Sequence, residues 1–279
     1  MRYNELWRAI AGIYGEHEAK AMVRTLLNDF FGFTLTDIVC GAVDSLSEAD
    51  ANRLYTAVGR LAEGEPVQYV SGTAMFCDRK FCVKPGVLIP RPETEQLCHT
   101  AIQKSEPLPH PRILDIGTGS GCIACTVALA LPQATVEAWD VSSEALAIAA
   151  ENADRLGAGV TFRNQDALAA TQNDGRRWDV IVSNPPYICN KEKCDMEANV
   201  LDHEPSLALF VPDDDPLLFY RAIAGYAMAS LERGGSLCFE INSLYARETE
   251  EMLRGIGFAD VETMTDIFGK ERNTICRKL

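Results

Sequence analysis

The chain has 279 residues, of which 47% are hydrophobic and 24% are charged, and its formal net charge is −14. These are the proportions of a globular protein with enough apolar material for a core, which excludes a disordered or collagen-like chain. A protein that grips duplexes presents a positive face, so the negative charge argues against non-specific nucleic-acid binding.

Amphipathic helices are predicted for the first 64 residues. Leu6, Ile10 and Ile13 share one face of a first segment. Ser47 precedes a later helical pattern and has the spacing of a capping box with Asp50. No constellation of ionisable residues falls in this region. We therefore expect a small helical domain over residues 1–64 that does no chemistry itself and serves to recognise the substrate.

Residues 65–92 differ from the helical region in composition. PVQYVSG and MFCDRKFCVKPGVLIPRP contain short β-like runs together with Gly and Pro, which predicts a β-hairpin linker over residues 65–92. A helix is expected from Glu93 to about Lys104, because the Pro-rich sequence SEPLPHP follows it.

Strands and helices then alternate to the end of the chain, so residues 93–279 form the third predicted region. RILDIG, TVEAWD, GVTFRNQD, WDVIVS and SLCFEI read as strands, and the segments between most of them read as helices. This alternation predicts an α/β domain with a mostly parallel sheet. ADVETMTD and NTICRKL have no helix between them, which predicts an antiparallel final strand.

The compartment is indicated by the ten cysteines and by the start of the chain. MRYNELWRAIAGIYGEHEAK has neither the pattern of a secretory signal nor that of a transit peptide, and no long apolar run predicts a membrane span. We expect a cytoplasmic protein with reduced cysteines. Cys122 and Cys125 form a C-x-x-C within an apolar helical run, which favours two small buried residues over a redox or metal pair. Four scattered histidines without ligand spacing predict no metal site.

A glycine-rich turn follows the strand RILDI. Its sequence DIGTGSG has the spacing G-x-G-x-G, whereas dinucleotide-binding turns prefer G-x-G-x-x-G. Glycines let the backbone turn sharply and approach a ligand closely. The pattern favours S-adenosyl-L-methionine over NAD, although a tight turn without a ligand remains the alternative. The predicted cofactor-binding residues of the turn are Gly117, Thr118, Gly119, Ser120 and Gly121.

Two acidic residues end the next two strands. Asp140, at the end of TVEAWD, is placed to accept hydrogen bonds from both ribose hydroxyls of a nucleoside. The alternative role of helix N-cap suits Ser142 or Ser143 better. Asp166 fits an acceptor for the exocyclic amine of adenine, and Ala167 follows it. Asp140, Asp166 and Ala167 are therefore all predicted to bind the cofactor.

The sequence Asn184-Pro185-Pro186-Tyr187 follows the strand DVIVS. Two consecutive prolines fix φ and make the loop stiff. Pro185 offers a carbonyl but no N–H, and the Asn184 side chain offers a second carbonyl oxygen. Two rigid acceptors suit a planar NH₂ group, and Tyr187 offers an aromatic face for a flat substrate. We expect these four residues to be catalytic and Asn184 also to adjoin the cofactor; a proline-rich turn without chemistry is the alternative.

The segments PVQYVSG, PGVLIPRPETE, DIGTGSGCIA, SNPPYI and HEPSLALF together resemble the HemK/PrmC family of protein-glutamine N5-methyltransferases. The resemblance runs from about Pro66 to the C-terminus. NPPY alone also marks adenine-N6 DNA methyltransferases, whereas its combination with PRPETE and DIGTGSG is highly specific. The resemblance implies a class I, Rossmann-like methyltransferase sheet with a small N-terminal helical bundle and a β-hairpin linker.

The same resemblance implies an activity and its site. A methyl group would pass from S-adenosyl-L-methionine to the side-chain amide nitrogen of the GGQ-loop glutamine in peptide chain release factors. Gly117 to Gly121 would wrap the methionine end of the cofactor, Asp140 would hold the ribose, and Asn184 with Pro185 would hold the substrate amide. Arg91 and Glu93 of PRPETE would lie near the cofactor or form a structural ion pair. No membrane contact and no direct nucleic-acid contact are expected.

The chain departs from the family pattern at three places. Ala167 stands where an aromatic residue is common. Asn242 and Tyr245 replace the Gly and Gln of the pattern E-x-G-x-x-Q, and VPDDDP replaces a Gly-rich segment after HEPSLALF. These changes are expected to affect the periphery more than the NPPY loop.

Three other functions compete with release-factor methylation. A ribosomal-protein glutamine N5-methyltransferase would share the chemistry and differ in its partner. An adenine-N6 DNA methyltransferase would need a basic recognition region and base flipping, against which the net charge of −14 argues. A non-enzymatic interaction module would not need three cofactor-site motifs.

Overall fold

The computed structural model describes residues 3–170, 174–266 and 269–279. The chain divides into two compact units. The first unit consists of three segments: the chain up to Ala74, Val83–Pro85 and Glu197–His203. The second unit contains the remaining residues. The three predicted regions, 1–64, 65–92 and 93–279, remain a proposal about how function is divided along the chain.

The first unit is helical and has its own apolar core. Its helices are α1 (Tyr3–Phe31), α2 (Leu35–Val39), α3 (Glu48–Ala62) and α4 (Val67–Ser71). Leu6 and Ile10 are buried as predicted, but Ile13 is 57% exposed, so its predicted inward position is wrong. Ile13 lies at the end of the first segment of α1, two residues before Gly15, whose non-helical backbone (φ 77°, ψ 163°) breaks the helix.

The β-like reading of PVQYVSG is also wrong, because these residues form α4. Pro66 precedes its first turn, and Gly72, in a left-handed conformation at φ 79°, ends it. The hairpin predicted in this region lies further on, between β1 (Thr73–Phe76) and β2 (Arg79–Cys82). Cys77 and Asp78 make its two-residue turn, both at positive φ, as a type I′ hairpin requires.

Within the described residues, the second unit is built on a seven-stranded sheet. The strands in chain order are β3 (Arg112–Ile116), β4 (Thr135–Asp140), β5 (Val160–Asn164), β6 (Trp178–Ser183), β9 (Leu231–Glu240), β10 (Ala259–Thr265) and β11 (Glu271–Arg277), and the short strands β7 (Ile188–Cys189) and β8 (Phe210–Val211) pair separately. The spatial order is β10-β11-β9-β6-β3-β4-β5. The strands β9, β6, β3, β4 and β5 run parallel to one another. The final strand, β11, is antiparallel to β9, which confirms its predicted direction.

Helices cover both faces of this sheet. They are α5 (Pro92–Ser105), α6 (Cys122–Ala130), α7 (Ser143–Leu156), α10 (Leu218–Ser230) and α11 (Ala246–Ile256). The short helix α9 (Ser206–Leu209) also belongs to this unit, whereas α8 (Ala198–His203) belongs to the first. Alternate residues of a strand enter opposite cores: Ile113 joins the core beneath α5 and α6, and Leu114 joins the core beneath α10 and α11. Burial on both faces explains why these strands read as nearly continuous apolar runs.

Strand order reverses between β3 and β6. From β3 the chain winds outward to β4 and β5, then returns to add β6 on the other side. Such a reversal leaves a crevice at the carboxyl ends of the two strands, where ligands of open α/β sheets bind. The Ser183 hydroxyl donates to the carbonyl oxygen of Ile116 at 2.6 Å and ties these two strand ends together. The glycine turn and the Asn-Pro-Pro-Tyr loop begin one residue beyond this bond.

Candidate active site

A cavity opens at this crevice, wholly within the second unit. Its free space, including the part open to solvent, is about 1000 Å³. The residues that line it include Gly86, Val87, Leu88, Ile116, Gly117, Gly119, Asp140, Val141, Ser142, Glu144, Gln165, Asp166, Ala167, Ser183, Asn184, Pro185, Pro186, Leu207, Ala208, Phe219 and Ile223. The structure thus brings the glycine turn, both acidic positions and the NPPY loop to one cavity.

The glycine turn is held by backbone hydrogen bonds to the neighbouring strand. Gly117 and Thr118 both donate to the carbonyl oxygen of Trp139 at 2.9 Å. Gly119 has φ 56°, and a Cβ built on it would meet nothing within 4 Å. Gly121 has φ 79°, and a Cβ there would lie 3.0 Å from that of Ala149. Gly119 therefore keeps space open on the cavity side, whereas Gly121 lets α7 pack closely.

Asp140 presents a carboxylate to the cavity that is already oriented by the backbone. Its Oδ2 accepts from Gly119 N–H and its Oδ1 from Ser142 N–H, each at 2.9 Å. Burial raises the pKa of this carboxyl, and the backbone hydrogen bonds oppose that effect. Ser142 is the N-cap of α7, since its hydroxyl accepts from Ala145 N–H at 3.1 Å. The remaining lone pairs of Asp140 suit the two hydroxyls of a ribose.

The wall beyond Asp140 suits a flat, mostly apolar ring with a polar edge. Asp166 and Ala167 lie there, and Asp166 Oδ1 accepts from Leu168 N–H at 2.8 Å. Val141, Ala208, Phe219 and Ile223 supply apolar surface on the same cavity. An acceptor for a diol, an acceptor for an amine and an apolar surface in one cavity fit the adenosine part of S-adenosyl-L-methionine.

Four predicted site residues do not line the cavity: Thr118, Ser120, Gly121 and Tyr187. Thr118 lies beneath the turn and donates its hydroxyl to Asp115 at 2.7 Å. Burial raises the pKa of Asp115 to about 7. Tyr187 packs against the core beneath α10 and α11, so its ring is not presented to the cavity as a stacking face.

Asn184 is held by a chain of buried polar groups that sequence reasoning missed. Its Nδ2 donates to Thr94 Oγ1 at 3.2 Å, and Thr94 in turn donates to Glu240 Oε2 at 2.6 Å. The Tyr187 hydroxyl donates to the other carboxylate oxygen, Oε1, at 3.0 Å. Thr94 and Glu240 are 3% and 2% exposed. Thr94 belongs to PRPETE and Glu240 to the E-x-G-x-x-Q pattern. Both segments were singled out from the sequence, but no contact between these two residues was predicted.

Arg91 of PRPETE forms an ion pair, but its partner in the structure is not the predicted Glu93. Arg91 pairs with Glu204 of HEPSLALF, whose side chain is almost completely buried. Glu204 also accepts from Ile89 N–H at 3.1 Å. Neither Arg91 nor Glu93 lies among the residues that line the cavity. The pair joins the two motif segments that flank the crevice.

Two of the three departures from the family pattern contact Tyr187 and the residues after it, closer to the NPPY loop than expected. Asn242 Nδ2 donates to the carbonyl oxygen of Tyr187 at 3.0 Å. Tyr245 OH lies 3.5 Å from Cys189 Sγ. Asp213, in VPDDDP, accepts from Lys191 N–H at 2.9 Å. Asn242, Tyr245 and Asp213 thus each contact one residue of the segment 187–191.

Other chemistry finds little support in the described residues. Cys122 and Cys125 are buried and free on α6, which confirms their predicted packing role. Across the described ranges, no cluster of three His, Cys, Asp or Glu side chains could hold a metal ion. None of the described helices combines the length and apolar character needed to cross a bilayer.

A reversed parallel sheet, a glycine turn after β3, an acid ending β4 and an NPPY loop after β6 define a class I methyltransferase that uses S-adenosyl-L-methionine. Two family profiles match the chain: the methyltransferase small domain at residues 94–204 and the PrmC N-terminal domain at residues 11–72. The fold is similar to a ribosomal protein L11 methylase of Lactobacillus delbrueckii (TM-score 0.50, 22% identity, covering 71% of this chain and 84% of that one).

Full-length relatives identify the family. The release factor glutamine methyltransferase of Bacteroides thetaiotaomicron is 48% identical over 265 residues, 95% of each chain. The protein of the same name from Flavobacterium psychrophilum is 41% identical over 268 residues, covering 95% of this chain and 94% of that one. The chain belongs to the family of release factor glutamine methyltransferases.

Proposed function

We propose that this chain transfers a methyl group from S-adenosyl-L-methionine to the side-chain amide nitrogen of a glutamine in a peptide chain release factor. The observation that carries the proposal is the Asn184 side chain, which lines the cavity beside the glycine turn while its NH₂ group is engaged by Thr94. The names of the relatives support the choice of partner.

The cofactor end of the cavity has the groups that adenosine requires. Asp140 would accept the ribose hydroxyls, Asp166 the exocyclic amine, and the apolar wall would cover the adenine ring. Gly117 and Gly119 leave the turn without side chains, so the methionine end can lie against the backbone. When bound, the cofactor supplies an electrophilic methyl group on a sulfonium.

The substrate end works by placement. An amide nitrogen is a poor nucleophile because its lone pair is delocalised. Asn184 Oδ1 and the Pro185 carbonyl would each accept one amide hydrogen, which aims the nitrogen at the methyl group within about 3–3.5 Å. The same two acceptors stabilise positive charge as it develops on the nitrogen.

A dedicated general base is not part of the proposal. The carboxylates that line the cavity in the described residues are Asp140, Glu144 and Asp166. Asp140 ends β4, Glu144 lies in the first turn of α7 and Asp166 follows β5, so all three belong to the cofactor end. Glu240, at the substrate end, lies behind Asn184 and is engaged by two hydroxyl groups. The proton is therefore expected to leave the nitrogen after methyl transfer.

The proposed setting is the cytoplasm, without direct nucleic-acid contact. All ten cysteines are free, which suits a reducing compartment. A net charge of −14 opposes binding to a phosphate backbone. The partner would therefore be recognised as a folded protein.

The test is transfer of labelled methyl from S-adenosyl-L-methionine to three purified acceptors: release factor, ribosomal protein and DNA. Label on a glutamine of the release factor is the expected result. Label on ribosomal protein alone would establish the rival glutamine methyltransferase, and label on adenine would establish the DNA enzyme. Either outcome would overturn the proposed partner.

We also propose that the first unit contacts the body of the release factor. Helix α2 exposes two apolar side chains one turn apart, Leu35 at 58% and Val39 at 79%, while Ile38 between them is buried. Replacing both exposed residues by Glu should lower kcat/KM for intact factor and spare a short glutamine peptide. Met75→Glu, at another exposed apolar side chain, is the control. Equal losses on factor and peptide would contradict this role.

A further inference from the structure

The hydrogen-bond chain behind Asn184 decides which end of its amide meets the substrate. An asparagine side chain can turn its oxygen or its NH₂ group toward a given neighbour. With the oxygen toward the cavity it accepts from an amide substrate; with the NH₂ group there, donor would face donor. The proposed reaction, on which this inference rests, needs the first orientation.

The hydrogen atoms in the hydrogen bonds that link Glu240, Thr94 and Asn184 can be assigned by starting from Glu240. An ionised Glu240 carboxylate can only accept hydrogen bonds. Thr94 has one hydroxyl hydrogen, and the 2.6 Å contact with Glu240 Oε2 takes it. Thr94 Oγ1 can then only accept from Asn184, so the group that faces it at 3.2 Å must be the NH₂ group. While Glu240 is ionised, no other orientation satisfies all three residues.

The opposite assignment requires a proton on Glu240. A protonated carboxyl could donate to Thr94, and Thr94 could then donate to Asn184 Oδ1. The amide would turn and present its NH₂ group to the cavity. The charge on one buried side chain therefore selects between an accepting and a donating Asn184.

We infer that Glu240, acting through Thr94, is a positioning residue that holds the Asn184 carbonyl oxygen toward the substrate amide. The second hydroxyl on Glu240, from Tyr187 at 3.0 Å, occupies the other carboxylate oxygen and keeps the group from rotating. Tyr187 therefore supports the position of Asn184 through Glu240, rather than by contact with the substrate.

The surroundings of Glu240 set the direction of its pH dependence. Burial is the main influence and raises the pKa of this carboxyl, while the hydrogen bonds from Thr94 and Tyr187 lower it. Among charged groups, Arg272 lowers the pKa and Glu93 raises it. Tyr220 is the further titratable neighbour, and its own pKa is raised by burial. Turnover should fall as the pH decreases through the pKa of Glu240, because protonation permits the wrong amide orientation.

The experiment compares Thr94→Val with Thr94→Ser and Thr100→Val in the full-length protein. Thr100 is a buried threonine on the same helix, and its hydroxyl bonds only to the helix carbonyl of Gln96 among the described contacts. Thr94→Val should lower kcat on release factor by about 10-fold or more, because the substrate amide is misplaced, with little change in cofactor affinity. Thr94→Ser should restore turnover, and Thr100→Val should match the wild type.

A second variant covers the case in which Thr94→Val does not fold, which loss of cofactor binding would reveal. Glu240→Gln is close to isosteric and cannot titrate, so its kcat should be lower and should no longer fall in acid. A wild-type kcat in Thr94→Val, or an unchanged acid limb in Glu240→Gln, would overturn the inference. If the wild type transfers no methyl to release factor, the proposed function itself fails and the inference fails with it.

Discussion

The two ends of the cavity hold their polar groups in different ways. At the cofactor end, Asp140 is oriented by N–H groups of Gly119 and Ser142, 21 and 2 residues away along the chain. At the substrate end, Asn184 is oriented by Thr94 and Glu240, with separations of 90 residues between Asn184 and Thr94 and 146 between Thr94 and Glu240.

This difference separates binding from turnover. At the cofactor end, backbone N–H groups of a turn and a helix start orient the carboxylate of Asp140. Single substitutions there should therefore change the affinity for the cofactor. The substrate end is a chain of side chains from separate elements, in which each group fixes the next. Changes there should act on methyl transfer while the cofactor still binds.

Asn184→Ala should give the largest separation of the two properties. It removes a substrate acceptor, so methyl transfer to release factor should fall by at least ~10²-fold, the order expected when positioning is lost. Calorimetry should show the affinity for S-adenosyl-L-methionine largely unchanged. Normal turnover in this variant would refute the amide clamp.

Asp140→Ala should produce the opposite pattern. Loss of a charge-assisted pair of hydrogen bonds should weaken cofactor binding by about 1.5–3 kcal/mol. Turnover at saturating cofactor should recover most of the loss. Asp154→Ala, an exposed position on α7, is the control and should bind normally. Unchanged affinity in Asp140→Ala would remove this residue from the site.

Two glycines of the same turn should respond differently to alanine. Gly121→Ala combines a left-handed φ of 79° with a 3.0 Å approach to Ala149, so it should lower the free energy of unfolding by about 2 kcal/mol. Gly119→Ala meets open space, so it should cost about 1 kcal/mol of stability and mainly weaken cofactor binding. Thermal unfolding and calorimetry measure both effects. Equal stability losses would contradict the difference in packing, and an unchanged cofactor affinity in Gly119→Ala would show that Gly119 does not face the cofactor.

Sequence reasoning succeeded where the chemistry is local. The glycine turn, Asp140 and the NPPY loop each follow a strand within a few residues, so their common edge could be predicted from the parallel sheet. The N-cap role of Ser142 is likewise a short-range signal. Family resemblance supplied the fold and the order of these motifs.

Prediction from the sequence failed where tertiary contacts determine the position of a side chain or the conformation of a segment. Tyr187 was expected to offer a stacking face, but its hydroxyl is drawn to Glu240 and its ring to the core. Nothing in the sequence pairs Thr94 with Glu240, because that contact depends on how α5 packs against β9. The helix α4 was missed because PVQYVSG has β-like residues, while Gly72 and local packing favour a short helix.

The central claim is that the substrate end recognises a primary amide by accepting both of its hydrogens. The most direct measurement is mass spectrometry of release factor after incubation with the protein and S-adenosyl-L-methionine, beside a matched factor in which the modified glutamine is replaced by glutamate. We expect one methyl group on the glutamine side chain, no second methyl on the same nitrogen, and none on the glutamate factor. Methylation of the glutamate factor at a similar rate, or repeated methylation of the same nitrogen, would show that the substrate end does not recognise a primary amide in this way.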